Sequence, residues 1–404
     1  MQALRALVLV ASLSARAADD PADLRKRAAS PDPAVAFDAV QKLDALGDAA
    51  KAGLADLARG LMSRDATAIE KAIATLDPAK TKQLEADVSA VRTKAMANLE
   101  KLDKGEPVTA GRQHHAALKV LMIKVNAARA QQWAVVEAMR RRAACGTVLE
   151  RLGETVPDDA TLTARAGRAI GIDAADAVAI PELAAVDEPR SDSPERGLWF
   201  YRACRTIEAC NKAQQAAGVV NKWEGHSVKL LNDYREALGL MPLEIDPRLC
   251  EAARRHSKEM VDLKYFAHAS PTPGQREPVQ RMASAGYPAG WRENICANVG
   301  DANRAFDVWF NSPGHHLAMT APDEIAIGCG RWDNAWTHTF GHHLRLSTKD
   351  EPTRAAALAK LTAPLKPQPD DATLPPTTVT RVETEITIID PKTGQRVTMP
   401  GSKK

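Results

Sequence analysis

Aromatic side chains make up only 4% of the 404 residues. That scarcity argues against a sheet-dominated fold, because β-branched and aromatic side chains are what fill a pleated surface. Alanine is abundant instead, which favours helices packed through small side chains. Beyond the N-terminus nothing approaches the ~20 consecutive apolar residues that a membrane-spanning helix needs, so no transmembrane segment is expected. No Lys/Arg block is interleaved with aromatics and the formal charge is +3, which excludes nucleic acid as a partner. The absence of a Cys-x-x-Cys pair removes a structural zinc site built from thiolates. Ser270 and Ser312 lie near histidines but in no nucleophile-elbow motif, so a serine hydrolase is not indicated. A single HEAT-type hairpin reading, from Ser30-Pro-Asp-Pro33 through Leu57, lacks the three copies that a solenoid requires.

What is present is a chain long enough for two or more units, with 45% apolar residues. Arg5, the apolar run Ala6 to Leu13 and the small-residue site Ala15-Arg-Ala17 read as a signal peptide over 1–18. Export would place the chain in the periplasm, at the cell surface or outside, where the six cysteines form an even set able to make disulfides.

Residues 19–172 carry helical periodicity throughout and predict an all-α bundle. Leu84, Val88, Val91, Ala95 and Leu99 form one stripe; Leu118, Leu121, Met122 and Val125 form another. Arg140-Arg-Arg142 reads as a solvated helix end and His114 and His115 as surface residues. The Pro-containing acidic stretch 173–197 reads as a linker. Residues 198–346 hold a helical approach and then a mixed unit. There Asp246-Pro247 starts a helix whose apolar stripe includes His256, read as a buried core histidine. Ile325 and Ile327, then Trp336, His338 and Phe340, alternate as strands, with His338 pointing into packing. His342 and His343 follow at the strand end as candidate rim residues. Residues 347–404 read as a flexible, Pro-rich tail, with a possible hairpin over Thr384–Ile389, Asp390–Gly394 and Gln395–Met399.

Four contexts carry the candidate chemistry: Phe266-Ala-His268-Ala-Ser-Pro271, Arg292-Glu293-Asn294, Asn311-Ser-Pro-Gly-His315-His316 and Glu324-Ile-Ala-Ile-Gly328. Each puts an ionisable group at a helix start or strand end, where it can face a shared cleft. Two imidazoles are good ligands for a borderline ion such as Zn²⁺, and carboxylates can complete the shell or orient the rings. The same groups can equally be a hydrogen-bonded network that ties helices to a sheet.

Together with Leu230-Leu-Asn232-Asp-Tyr-Arg235, Gly239-Leu240-Met-Pro242-Leu and Ala253-Arg-Arg-His256-Ser257-Lys-Glu-Met260, these motifs resemble the CAP superfamily of cysteine-rich secretory, antigen 5 and pathogenesis-related proteins. The match is to its bacterial SCP-like branch, over about 227–341. The resemblance implies an α+β fold: an α-β-α sandwich CAP domain, here preceded by the helical bundle and followed by the tail. It implies a cleft tetrad of His268, Glu293, His315 and Glu324, with a divalent metal on His268 and His315. Arg292 stands where the family usually has glycine, able to narrow the mouth or pair with a carboxylate, and His316 where arginine often follows. Cys296 and Cys329, close to the two glutamates, are a candidate disulfide between strands.

The function expected from these readings is a non-catalytic module that binds a small-molecule, lipid or protein ligand. One alternative is a metal-dependent hydrolase of peptide or ester bonds with Glu293 or Glu324 as base. Another is an extracellular scaffold that uses the helical bundle.

Overall fold

A computed structural model describes residues 20–103, 111–180, 193, 195–288, 290–342, 345–349, 351–369, 383–389 and 396–400. The signal peptide over 1–18, linker residues 181–192, His343 and the turn Asp390–Gly394 lie outside the described residues. The chain divides into two compact units. One takes residues 20–87 and Ile123–Arg202, the other Val88–Met122 and the chain from Ala203 onward. The helical region read over 19–172 is therefore distributed over both.

In the first unit, Asp20 and Asp32 start α1 (Pro21–Ala28) and α2 (Pro33–Ala45). Each carboxylate accepts from a first-turn amide, Ala22 N at 3.0 Å and Ala34 N at 2.8 Å, and each is followed by proline at N1. With α3 (Leu54–Ile73) these helices bury Leu24, Val40, Leu43 and Leu61 against Leu149 of α5 (Gly111–Arg151). The basic cluster is not a solvated helix end. Because α5 continues to Arg151, Arg140–Arg142 are interior positions with partners. Arg141 meets the buried Asp65 at 2.7 Å, Arg142 binds the Met62 carbonyl and Asp159, and Arg140 donates to the Val178 carbonyl at 3.0 Å. The remaining helices of the chain before the sheet are α4 (Pro78–Asp103), α6 (Ala160–Ile170), α7 (Ala174–Ala179) and α8 (Glu195–Ala216).

The second unit is built on six strands, β1 (Glu244–Ile245), β2 (Gly290–Ala297), β3 (Ala326–Trp332), β4 (Ala335–Gly341), β5 (Glu383–Ile389) and β6 (Arg396–Pro400), in a sheet ordered β1-β3-β4-β2-β5-β6. Helix α10 (Pro247–Asp262) covers one face, where Ser257 meets Thr337 at 2.8 Å and Thr339 donates to the Leu249 carbonyl at 3.1 Å. A Cβ at Gly328 or Gly330 would stand 2.1 Å from the α10 backbone, so glycine permits this close approach. Helices α9 (Lys222–Leu238) and α12 (Ala302–Phe310) cover the other face. There His338 is sandwiched by Ser227, at 2.9 Å, and the Trp309 ring, at 4.4 Å between centroids. A sheet between two helix layers is the α-β-α sandwich that the family resemblance implies. Helices α11 (Pro278–Ser284) and α13 (Pro313–Thr320) complete the unit around β2.

His115 is a second correction, because it is a packed residue and not a surface one. Its ring lies 4.8 Å from Tyr234 and 5.5 Å from Phe310, among the aromatics of α9 and α12. Burial pushes its pKa down, with Lys119 adding to the effect. Nearby Arg92 donates to the carbonyls of Glu236, at 3.0 Å, and Ala237, at 2.7 Å, closing the C-terminal end of α9.

All six cysteines are free thiols, so the disulfides expected from the even count are not formed. For Cys296 and Cys329 the strand order gives the reason. Cys296 pairs with Trp336 and Cys329 with His338, on opposite sides of β4. Two strand spacings separate them by roughly 9.5 Å, beyond the ~7 Å Cα limit for a disulfide.

In the segment read as the tail, α14 (Glu351–Leu358) is followed by a strap along α10. Leu365 accepts from Arg254 at 2.6 Å and donates to Glu251 at 2.6 Å, and Leu358 and Leu361 pack with Leu346. The hairpin read in the sequence forms as β5 (Glu383–Ile389) and β6 (Arg396–Pro400), and β5 pairs antiparallel with the edge of β2.

Candidate functional site

Strand β2 decides how the candidate residues are arranged. Successive side chains on a strand alternate between faces. Glu293, opposite Thr339, points toward α10, while Asn294, opposite His338, points toward α9 and α12.

On the α10 face Glu293 is buried and engaged on both oxygens. Arg281, from α11, donates to Oε1 and Oε2 at 2.8 Å each, and His268 Nδ1 lies 2.8 Å from Oε1. Arg281 also holds the loop in place by donating to the carbonyls of His268, Gln275 and Arg276 at 2.9–3.1 Å. Burial alone would raise the Glu293 pKa. The Arg281 guanidinium, with His256 and His268, outweighs it and holds the carboxyl well below the usual carboxylate range.

His256 sits beside this pair on α10, fully buried as the sequence reading has it, with Nε2 at 3.8 Å from Glu293 Oε1. One turn along, Glu259 accepts from the Tyr265 hydroxyl at 2.6 Å and the Ser270 hydroxyl at 2.9 Å, and from Thr272. His256 followed by these hydroxyls holds the Glu259 pKa low. Burial keeps the pKa of His256 itself below its ordinary value.

The other two members of the expected tetrad have contacts of their own. The His315 carbonyl accepts from Asn294 Nδ2 at 3.1 Å, which puts the main chain of α13 on the face opposite Glu293. His315 is fully buried. Glu324, also fully buried, is paired with Arg292, which reaches Asp323 at 3.1 Å as well. The second carboxylate oxygen, Oε2, has no hydrogen-bond partner among the described residues. Burial, opposed by Arg292, pushes Glu324 up to about 7. His316 is engaged by Tyr234 OH and the Phe310 carbonyl, each at 2.8 Å, and burial lowers it to about 4.

Glu293 is committed to Arg281 and holds His268 at Nδ1, the contact that orients a metal-ligating imidazole, and among the described residues no three His, Cys, Asp or Glu side chains gather to hold a metal. The sequence motifs thus locate a buried His268–Glu293 pair and a Glu324–Arg292 pair. Sequence reasoning missed Arg281, Tyr265 and Glu259. The i, i+3 spacing of His256 and Glu259 on one helix was a usable signal; Arg281 sits in ordinary helical sequence and offered none.

A cleft of about 650 Å³ opens against this network. Its floor is the outer side of α10 with His256 and Glu259. One wall is Thr272, Gln275, Arg281 and Ser284, and the other is the strap at Lys360–Leu365. A smaller cavity, about 280 Å³ between α8 and α9, is bordered by ion pairs that close on themselves, Arg205–Glu208 and Lys229–Asp233 among them.

The profile of the cysteine-rich secretory protein family, CAP, matches residues 228–337. Residues 228–337 are a CAP domain. The match takes in α9, α10, the His268 loop, α11, β2 and β3, and ends within β4. The uncharacterized protein YkwD of Bacillus subtilis is 33% identical over 129 residues, 32% of this chain and 50% of that protein. The uncharacterized membrane protein YlbC of the same organism is 32% identical over 107 residues, 26% of this chain and 31% of that protein. The chain thus spans half or less of the length of these relatives. Among solved structures, an extracellular protein containing a SCP domain from Bacillus anthracis is 27% identical with a TM-score of 0.27, covering 30% of this chain and 41% of that one. An outer surface protein of Borrelia burgdorferi is 25% identical with a TM-score of 0.26, covering 29% and 90%. Beyond the CAP domain, no described helix is long and apolar enough to cross a membrane.

Proposed function

We propose that the chain is an exported protein whose CAP domain binds a polar organic ligand in the α10 cleft and does not turn it over. The observation that carries this reading is the position of the cleft, about 650 Å³ within a domain-sized unit, against a fully engaged charge network at Glu293. A volume of that order suits a small organic ligand. A carboxylate held far below its usual range is a poor general base near neutral pH, which argues against Glu293 as the base of a hydrolase. Export rests on Arg5, the apolar run Ala6–Leu13 and Ala15-Arg-Ala17, and agrees with the extracellular and surface descriptions of the two solved proteins.

The test is a thermal-unfolding screen of the full chain against peptides, glycans, fatty acids and divalent cations, repeated on Ser284→Trp, whose exposed position on the cleft wall lets an indole fill it. Stabilisation by an organic compound that disappears in the variant is expected. Stabilisation only by cations, or equal stabilisation of both proteins, removes the reading. For export, the N-terminus of the mature chain is expected at Ala18; an intact Met1 in the cell-exterior fraction would count against it.

A further inference from the structure

We infer that the ligand of the α10 cleft is a short extended peptide carrying charges of both signs; this rests on the binding reading above and names its ligand class. The shape of the cleft comes first. The α10 residues that line it run from Glu251 to Leu263, twelve helical steps or about 18 Å. A trough that follows a helix over that length suits an extended chain.

The lining then selects among extended chains. Arg255, Lys258, Arg281 and Lys360 stand against Glu251, Glu259 and Asp262. So many charges disfavour an acyl chain. The near balance of sign disfavours a polyanion, which would need a basic groove. Among the described residues no Trp, Tyr or Phe lines the trough, so sugar rings and bases lack a stacking platform. What remains is a peptide whose own charges replace existing pairs. One pair is placed for this exchange: Lys258 with Asp262, joining helix positions four apart at the rim, where exposed ion pairs hold weakly. Thr272, Gln275, Ser284 and Thr362 supply donors and acceptors for a peptide backbone. Leu263, 55% exposed, gives an apolar contact at one end, and Leu361 and Leu365 another. His256 Nε2 on the floor and Arg281 Nε on the wall are buried nitrogens with no hydrogen-bond partner among the described residues.

Calorimetry on the full chain tests this with four probes: the peptides Ala-Lys-Leu-Glu-Ala and Ala-Val-Leu-Val-Ala, maltohexaose and dodecanoate. The mixed-charge peptide is expected to bind, and Ser284→Trp to weaken it at least about ten-fold with the unfolding temperature of the variant unchanged. Lys360→Glu, on the opposite wall, is expected to weaken it several-fold while leaving dodecanoate and maltohexaose unaffected. Equal affinity in wild type and Ser284→Trp overturns the site. Binding of the apolar peptide, the glycan or the fatty acid in a Ser284→Trp-sensitive manner, without the mixed-charge peptide, overturns the peptide assignment and leaves the ligand-binding reading standing. Binding of none of the four overturns the peptide assignment, and the broader screen then decides whether the cleft binds anything.

Discussion

Arg281 grips both oxygens of Glu293 at 2.8 Å with neither side chain more than 4% exposed. The same guanidinium secures the loop that carries His268. The pair is therefore the hinge pin between helix α11, the loop and strand β2. Taking away one partner strands a buried charge. Arg281→Met is expected to destabilise the CAP domain by about 3–5 kcal/mol, measured by urea unfolding. The double variant Arg281→Met with Glu293→Gln is expected to recover part of that loss. A loss under about 1 kcal/mol in the single variant would show the pair to be dispensable.

Two groups give the protein opposite pH responses. Glu324, raised to about 7, binds its proton more tightly in the folded state than in the unfolded chain, so ionising it costs stability as pH rises from about 4.3 toward 7. Glu324→Gln is expected to flatten that decline in unfolding free energy between pH 5 and pH 8. His316, lowered to about 4, contributes stability that is complete above the unfolded value near 6.5 and is lost as pH falls toward 4. That loss should be on the order of 2–3 kcal/mol, and should shrink in His316→Gln. Unchanged pH profiles in both variants would show that burial does not govern either group.

Gly330 touches α10 through its bare Cα. Its replacement by alanine places a methyl 2.1 Å from Arg254 N, against backbone that cannot step aside. Gly330→Ala is expected to cost at least about 2–3 kcal/mol, whereas Gly60→Ala, at an open position inside α3, is expected to stabilise by about 0.5–1 kcal/mol. Similar melting temperatures for the two variants would contradict the close helix-to-sheet packing.

Zinc offers a direct check on the tetrad. A zinc heat lost in His268→Ala and in His315→Ala alike is expected if both imidazoles hold one ion; identical calorimetric titrations of wild type and both variants would overturn that and leave the two histidines to hydrogen bonding alone.

The thiols make a fifth measurement. Alkylation of the unfolded, unreduced chain is expected to modify all six cysteines. Mass spectrometry that finds Cys296 or Cys329 protected would contradict the strand order β3-β4-β2.

The sandwich and the pairing of His268 with Glu293 were legible because they sit in local motifs with fixed spacing. Pairing of Arg292 with a carboxylate was also anticipated, and Glu324 is the partner. The common tetrad was a different matter. Whether Glu293 or Asn294 faces α10 depends on the register of β2 against β4, and a one-residue shift exchanges the faces. No local pattern reports that register. The disulfide reading failed for a related reason, since adjacency of strands is a long-range property. His115 was misread because its partners, Tyr234 and Phe310, lie more than a hundred positions away and nothing near it is visibly apolar enough to demand cover.

Strand β5 has a consequence for anyone shortening the protein. It satisfies the outward amides and carbonyls of β2 from Glu293 to Ala297. A version ending before Glu383 would leave that ladder bare, and bare ladders recruit other chains. Such shortened molecules should cling to one another and drop out of solution even though the helices and the Glu293 network are untouched.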